Sequence, residues 1–182
     1  MYKILFLIGF GFEIIGQILM AQGNDFVYQQ TPIDFAHWFL LIGVVFLIPQ
    51  VVSFPNKIFS YIGTPITLIG IVCIIGMCVI DFIFWSQPNQ EGRTEFFNHI
   101  SKFHSIWKPF ISIGPGILNI GLLILCLNYF KENKIGVLII FIATLIIYLV
   151  PYHSKLIFGY ALTLVGFAHI FYQEKLNQKN ET

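Results

Sequence analysis

Six apolar stretches, each long enough to cross a bilayer as a helix, constrain this chain more than any other feature. A bilayer core about 30 Å thick needs roughly 20 apolar residues in an α-helix. The stretches cover approximately residues 4–21, 36–54, 58–85, 110–130, 135–152 and 155–172. Residues 135–149 are apolar on every face, whereas barrel strands would alternate apolar and polar residues. The sequence therefore predicts an all-α polytopic membrane protein with six transmembrane helices in one domain, residues 1–182.

Charge is too scarce for a water-soluble domain. Only 10% of the residues are charged and 57% are hydrophobic, whereas a soluble domain has roughly 25% charged residues. A net charge of +1 also argues against nucleic-acid binding, because neutralising phosphates requires clusters of Lys and Arg. The lipid bilayer is the predicted partner. The cysteines lie in apolar runs without CxxC spacing and are predicted to be buried small hydrophobes: Cys73, Cys78 and Cys126.

Basic residues near the ends of the stretches favour one orientation. With the amino terminus in the cytoplasm, six lie inside and four outside. The inner ones are Lys3, Lys57, Lys131, Lys134, Lys175 and Lys179, and the outer ones are Arg93, Lys102, Lys108 and Lys155. The sequence thus predicts a multi-pass protein of the cytoplasmic membrane with both termini in the cytoplasm.

The connecting segment 86–107 and the tail 173–182 differ from the apolar stretches. Four apolar residues recur at helical spacing, namely Phe96, Ile100, Phe103 and Trp107. This pattern predicts an amphipathic interfacial helix near 94–107, either as a plain packing connector or as a substrate lid. The polar tail is predicted to be frayed.

Matches between the two halves of the chain indicate a possible internal repeat, with halves 1–85 and 108–172. Four residues of the first half match four of the second in type, order and spacing. They are Pro55, Gly63, Thr67 and Gly70 in the first half and Pro151, Gly159, Thr163 and Gly166 in the second. Apolar sequences also match by chance. A true duplication of three helices would insert the second copy upside down, as in many transporters.

The few polar residues inside the apolar stretches are the candidate functional residues. An intramembrane ionisable residue needs a partner or a wet cavity. Glu13 lies near the middle of the first stretch, with Gln17 one turn later. Asn119 follows a predicted break at 114–116, and His169 lies in the last stretch. These residues are predicted to bind a proton, a cation or a small solute, although Glu13 and His169 could instead make interhelical hydrogen bonds.

Three functional interpretations remain open from sequence. The first is a small transporter-like protein without a cofactor. The second is an outward-facing, metal-dependent hydrolase of a lipid or amide, with zinc held by His37, Asp81 and His153. No HxxxH or HExxH spacing supports that metal site, and His99 and His104 are poorly spaced to share an ion. The third is a membrane assembly or scaffold subunit without chemistry of its own.

Overall fold

A computed structural model describes residues 1–55, 57–151 and 154–180, with side chains through residue 178. All regular structure in these residues is helical, and they form no strand. The helices are α1 (Tyr2–Met20), α2 (Asn24–Tyr28), α3 (Phe35–Val51), α4 (Ile58–Trp85), α5 (Gln90–Ile100), α6 (His104–Ile106), α7 (Gly114–Cys126), α8 (Lys134–Leu149) and α9 (Lys155–Asn180). A π-helical segment, Trp107–Ile113, precedes α7, and a 3-10 turn, Leu127–Tyr129, follows it.

Four helices of the described chain are long and apolar enough to cross a membrane. They are Tyr2–Met20, Ile58–Trp85, His104–Tyr129 and Lys155–Gln178. The remaining two apolar stretches form the shorter helices α3 and α8, of 17 and 16 residues. The predicted all-helical fold of membrane type is confirmed, while the number of crossings stays a prediction.

The long helices and the two shorter apolar helices form a closed ring. Each one packs against the previous and the next in the chain, and α9 returns to pack against α1. Neighbours run antiparallel. For example, Gly16 of α1 approaches Ala36 near the start of α3, whereas Gly9 approaches Gly43 further along α3. Lys3 likewise forms an ion pair at 2.9 Å with Glu174 near the end of α9.

This alternation gives the ring two distinct ends. One end carries the first residues of α1 and the last residues of α9, and is called the terminal end below. The other carries the short helix α2 and the connecting helix α5, and is called the loop end. Five phenylalanine rings in edge-to-face and stacked contacts fill the ring in its terminal half: Phe6, Phe10, Phe54, Phe167 and Phe171. These aromatic pairs make that half a dense apolar core.

Paired glycines allow two helix contacts to be unusually close. A Cβ atom on Gly9 would lie 2.7 Å from the carbonyl oxygen of Gly43, where α1 meets α3. A Cβ atom on Gly136 would lie 2.9 Å from the carbonyl oxygen of Gly166, where α8 meets α9. Small residues at such positions bring two backbones into direct contact, as is typical of membrane helices.

Two predicted boundaries are wrong. The tail from residue 173 is predicted to fray, but α9 continues to Asn180, and Glu174 in this extension pairs with Lys3. The amphipathic helix expected over 94–107 ends at Ile100, and α6 begins a new helical segment at His104. Ile100 is buried and the Phe96 ring packs 5.0 Å from the Phe84 ring, so the apolar face of α5 docks onto the end of α4.

The predicted repeat is not confirmed. Thr67 and Thr163 make the same intrahelical hydrogen bond, to the carbonyls of Gly63 and Gly159. However, Gly63 packs against Leu125 of α7, whereas its repeat equivalent Gly159 packs against α8. The matched glycines therefore contact helices that are not equivalent under the repeat.

Candidate functional site

Glu13 is buried in the middle of the ring. Its residue surface is 1% exposed, and neither carboxyl oxygen has a hydrogen-bond partner among the described residues. The backbone amide of Val44 interacts with the carboxyl without reaching full hydrogen-bond geometry. A Cβ atom on Gly43 would lie only 2.6 Å from Oε1 of Glu13, so the carboxyl rests directly on the α3 backbone.

Two other buried polar side chains interact electrostatically with this carboxyl, and a third side chain interacts with one of them. The Tyr160 hydroxyl of α9 and the Cys78 thiol of α4 are both close enough to Glu13 for electrostatic interaction. Tyr160 and Cys78 are fully buried. The Asn119 amide of α7 lies within hydrogen-bonding range of the Tyr160 hydroxyl. Glu13 and Asn119, which the sequence singled out together, thus belong to one polar cluster that also includes Tyr160 and Cys78, and this set is called the central cluster below.

The helix break predicted at residues 114–116, before Asn119, does not occur there. The chain stays helical through residues 114–116, and the distortion takes the form of the π-helical turn Trp107–Ile113 just before them. Pro115 lacks the amide that would bond one turn back, and a wider turn is a common way of accommodating such a loss. The Pro115 carbonyl is not free, because Asn119 Nδ2 donates to it at 2.7 Å.

Two further predicted residues lie outside the central cluster. Gln17 is half-buried on α1, one turn beyond Glu13 toward the loop end. His169 lies on α9 toward the terminal end, where its Nδ1 is 3.0 Å from Oδ1 of Asn133. Asn133 Nδ2 also donates to the His169 carbonyl at 3.3 Å, and Asn133 Oδ1 accepts from the Gly136 amide at the start of α8. These contacts give His169 a role in joining α8 to α9.

A second polar cluster lies at the loop end, where α3 begins. Asp34 caps α3 by accepting from the His37 amide at 3.1 Å, and its other oxygen meets His37 Nδ1. His37 Nε2 lies 3.1 Å from Oδ2 of Asp81 on α4. The side chains of His37 and Asp34 are 3% and 1% exposed, whereas that of Asp81 is 24% exposed. The imidazole therefore lies between one buried carboxylate and one that reaches the surface.

Tyr28 and Arg93 adjoin this cluster from α2 and α5. The Arg93 guanidinium lies over the Tyr28 ring, 4.2 Å from its centroid. Burial raises the pKa of the Tyr28 hydroxyl, the carboxylates of Asp81 and Asp34 raise it further, and Arg93 opposes the rise. Arg93 thereby connects the helix α5 to the polar cluster formed by Asp34, His37 and Asp81.

Of the three residues predicted as alternative zinc ligands, the structure brings two together. His37 and Asp81 do come together, but both nitrogens of the imidazole already contact carboxylates, which leaves no lone pair directed at an ion. His153 lies outside the described residues. Within the described ranges, no group of three or more His, Cys, Asp and Glu side chains is arranged to hold a metal ion. His99 and His104 are exposed residues of the connecting segment.

Sequence reasoning missed Asp34 and Tyr160. Asp34 could have been found, because an Asp just before an apolar helix is the usual N-cap signal and the capped amide belongs to His37. Tyr160 gave no such signal, since an aromatic residue in an apolar helix is ordinary. The prediction of buried, unpaired cysteines is confirmed for Cys73, Cys78 and Cys126.

No known protein family, curated protein or solved structure matches this chain. The two polar clusters are therefore the features that bear on its function.

Proposed function

We propose that this chain is a six-span membrane protein of transporter type in which Glu13 takes up and releases a proton. The observation that carries the proposal is the Glu13 carboxyl, which is 1% exposed and has no hydrogen-bond partner among the described residues. An ionised carboxylate in that position would lack both water and a cation. Glu13 is therefore expected to hold a proton in this closed arrangement and to release it when the site opens.

The close surroundings of Glu13 favour a proton as the bound species. The carboxyl lies directly against the backbone of Gly43, which leaves little room beside it for a larger solute. Tyr160 of the neighbouring helix α9 supplies a hydroxyl, and Asn119 of α7 supplies an amide. Such groups can donate hydrogen bonds to the carboxylate after deprotonation. Gln17, one turn away, would orient a cotransported solute on the loop-end side.

The ring arrangement supports six crossings with both termini at one end, and the bias of basic residues favours the cytoplasm for that end. The helices α3 and α8 pack along their longer neighbours in antiparallel order. With 17 and 16 residues they measure about 24–26 Å, which a bilayer can match by thinning slightly. If both cross, the helices α1, α3, α4, α7, α8 and α9 alternate in direction across the membrane.

The cluster at the loop end would give protons access to Glu13. Asp81 is in part exposed and lies 3.1 Å from His37, so these two side chains would form the outer end of a proton path. Cys78 of the central cluster lies about one helical turn from Asp81 on α4, which brings the two clusters close together along that helix. In the terminal half the phenylalanine core would block an aqueous path. Access from one side at a time is what distinguishes a carrier from an open channel.

Proton flux into liposomes tests this proposal. The purified protein is reconstituted with a trapped pH-sensitive dye, and a potassium diffusion potential is applied with valinomycin. We expect the pH inside the vesicles to change faster with the wild-type protein than in protein-free controls. Glu13→Gln should lower the rate to that of the controls, because the amide cannot carry a proton. Glu95→Gln makes the same chemical change on the exposed surface of α5 and should leave the rate unchanged.

Folding must be compared separately. Glu13→Gln should insert and elute from size exclusion as wild type does, because a neutral amide suits the buried position. Wild-type flux in a folded Glu13→Gln protein would overturn the role of Glu13. The hydrolase and scaffold interpretations stay predictions.

A further inference from the structure

A groove at the terminal end combines apolar walls with basic residues. It has a volume of about 450 Å³ and lies between the start of α4 and the turn that follows α7. Its apolar walls are Ile58, Phe59, Leu127 and Phe130. Ile58 is 70% exposed and Phe130 is 52% exposed. Such exposure next to charged residues suits the boundary between lipid tails and headgroups.

The groove carries an excess of positive charge. Its charged side chains are Lys57, Lys131 and Glu132, which sum to one net positive charge. Lys57 Nζ is held in place by Glu132 Oε1 at 3.1 Å and by the carbonyl of Asn128 at 3.0 Å. Lys131 makes no ion pair within the part of the chain that the structure describes. Its ammonium group is therefore available to an anion.

One residue that lines the groove, Asn128, has a buried hydrogen-bond acceptor without a partner among the described residues. Asn128 is 5% exposed, and the atom without a partner is its Oδ1. The amide nitrogen of the same side chain is already used, by Ser60 Oγ at 2.8 Å and the carbonyl of Leu125 at 3.0 Å. These two bonds fix the amide orientation, so the unsatisfied atom is an acceptor. A buried acceptor without a donor is uncommon, and a ligand hydroxyl would satisfy it.

We propose that this groove binds an anionic phospholipid with a hydroxylated headgroup, of the phosphatidylglycerol type. The phosphate would contact Lys131 and Lys57, the glycerol hydroxyl would donate to Asn128 Oδ1, and the acyl chains would run along Phe59 and Phe130. Basic pockets between membrane helices recognise lipid headgroups in this way. The inference does not depend on the proton site at Glu13.

Native mass spectrometry of the purified protein tests the proposal. The protein is incubated with equal amounts of phosphatidylglycerol and phosphatidylcholine that have the same acyl chains. We expect one phosphatidylglycerol to be retained in preference to phosphatidylcholine. Lys131→Gln should weaken that retention about fivefold, the effect of one basic residue near a headgroup. Lys131→Arg should keep it. Lys134→Gln removes an exposed lysine of the same end that does not line the groove, and should leave retention unchanged.

Three results would overturn the assignment. The first is equal retention of the two lipids by wild type, and the second is equal loss of phosphatidylglycerol in Lys131→Gln and Lys134→Gln. The third is full displacement of the lipid by soluble glycerol phosphate at an equal concentration, which would indicate a site for a free anion. Lys131 lies on the exposed surface, so its variants are expected to fold, and circular dichroism checks this.

Discussion

The Glu13 carboxyl lies on the backbone of Gly43, so that a Cβ atom on Gly43 would be 2.6 Å from Oε1 of Glu13 and 2.9 Å from the carbonyl oxygen of Gly9. Both neighbours are constrained, since the carbonyl belongs to a helix backbone and the carboxyl is enclosed. The contact between α1 and α3 therefore has no room for a methyl group. It is also the contact that positions the proposed proton site.

Gly43→Ala is expected to lower the free energy of unfolding by about 1–3 kcal/mol, the usual cost of overpacking. The added methyl group would push α1 away from α3 and move the Glu13 carboxyl. Unfolding in detergent, followed by circular dichroism, measures the loss. Gly11→Ala is the matched control on α1, since a Cβ atom there would have no neighbour within 4 Å. That control should be neutral or stabilising by up to roughly 1 kcal/mol, because alanine favours helix. Equal stability of the two variants would contradict a tight contact.

His37 is expected to stabilise the loop end by separating two carboxylates. His37→Gln removes the ring that contacts Asp34 and, at 3.1 Å, Asp81. We expect a loss of about 2–4 kcal/mol, somewhat below the cost of breaking a fully buried ion pair, because Asp81 is in part exposed. His99→Gln, on the exposed surface of α5, should cost nothing measurable.

A double variant distinguishes charge separation from simple packing. Adding Asp34→Asn to His37→Gln removes one of the two carboxylates, so part of the lost stability should return. A double-mutant cycle measures this coupling. Strictly additive losses would show that His37 acts only by filling space.

Much of this fold could be predicted from hydropathy, because length and composition decide what a bilayer accepts. The stretch predicted at 58–85 coincides with α4, which begins at Ile58 and ends at Trp85. The misplaced helix ends lie in polar segments, where hydropathy does not distinguish helix from loop. The extension of α9 contains Glu174, whose partner Lys3 lies at the other end of the chain and is identified by no local pattern.

The central cluster could be predicted only in part. Glu13 stood out because a carboxylate is rare in an apolar helix, and Asn119 for a similar reason. Tyr160 joins them only because α9 packs back against α1, a closure of the ring that periodicity does not encode. Helix pairing also explains why His169, equally conspicuous in sequence, lies instead beside Asn133.

The six crossings predict which loops share a side of the membrane. Single cysteines at positions 25 and 91 should be labelled by a membrane-impermeant maleimide from one side, and a cysteine at 132 only from the other. This pattern requires that α3 crosses together with α4 and α7, which lie between the labelled positions, whereas α8 begins after position 132. The background protein replaces Cys73, Cys78 and Cys126, which are buried and free. Labelling of 25 and 132 from the same side of intact membranes would exclude the six-span arrangement.

Arg93 is expected to hold the connecting helix α5 against the ring. Its guanidinium lies 4.2 Å from the centroid of the Tyr28 ring, and its Nη2 donates to the Gln87 carbonyl at 3.4 Å. Cation–π contacts at such sites contribute about 0.5–1 kcal/mol. Arg93→Gln should therefore open α5 more often and raise the chymotrypsin cleavage rate at Phe97 about two- to fivefold, since cleavage follows the open population. Lys102→Gln removes an exposed charge from the same segment and should cleave at the wild-type rate. If both variants cleave alike, the docking of α5 depends on its apolar face alone, namely on the contact between the Phe96 and Phe84 rings.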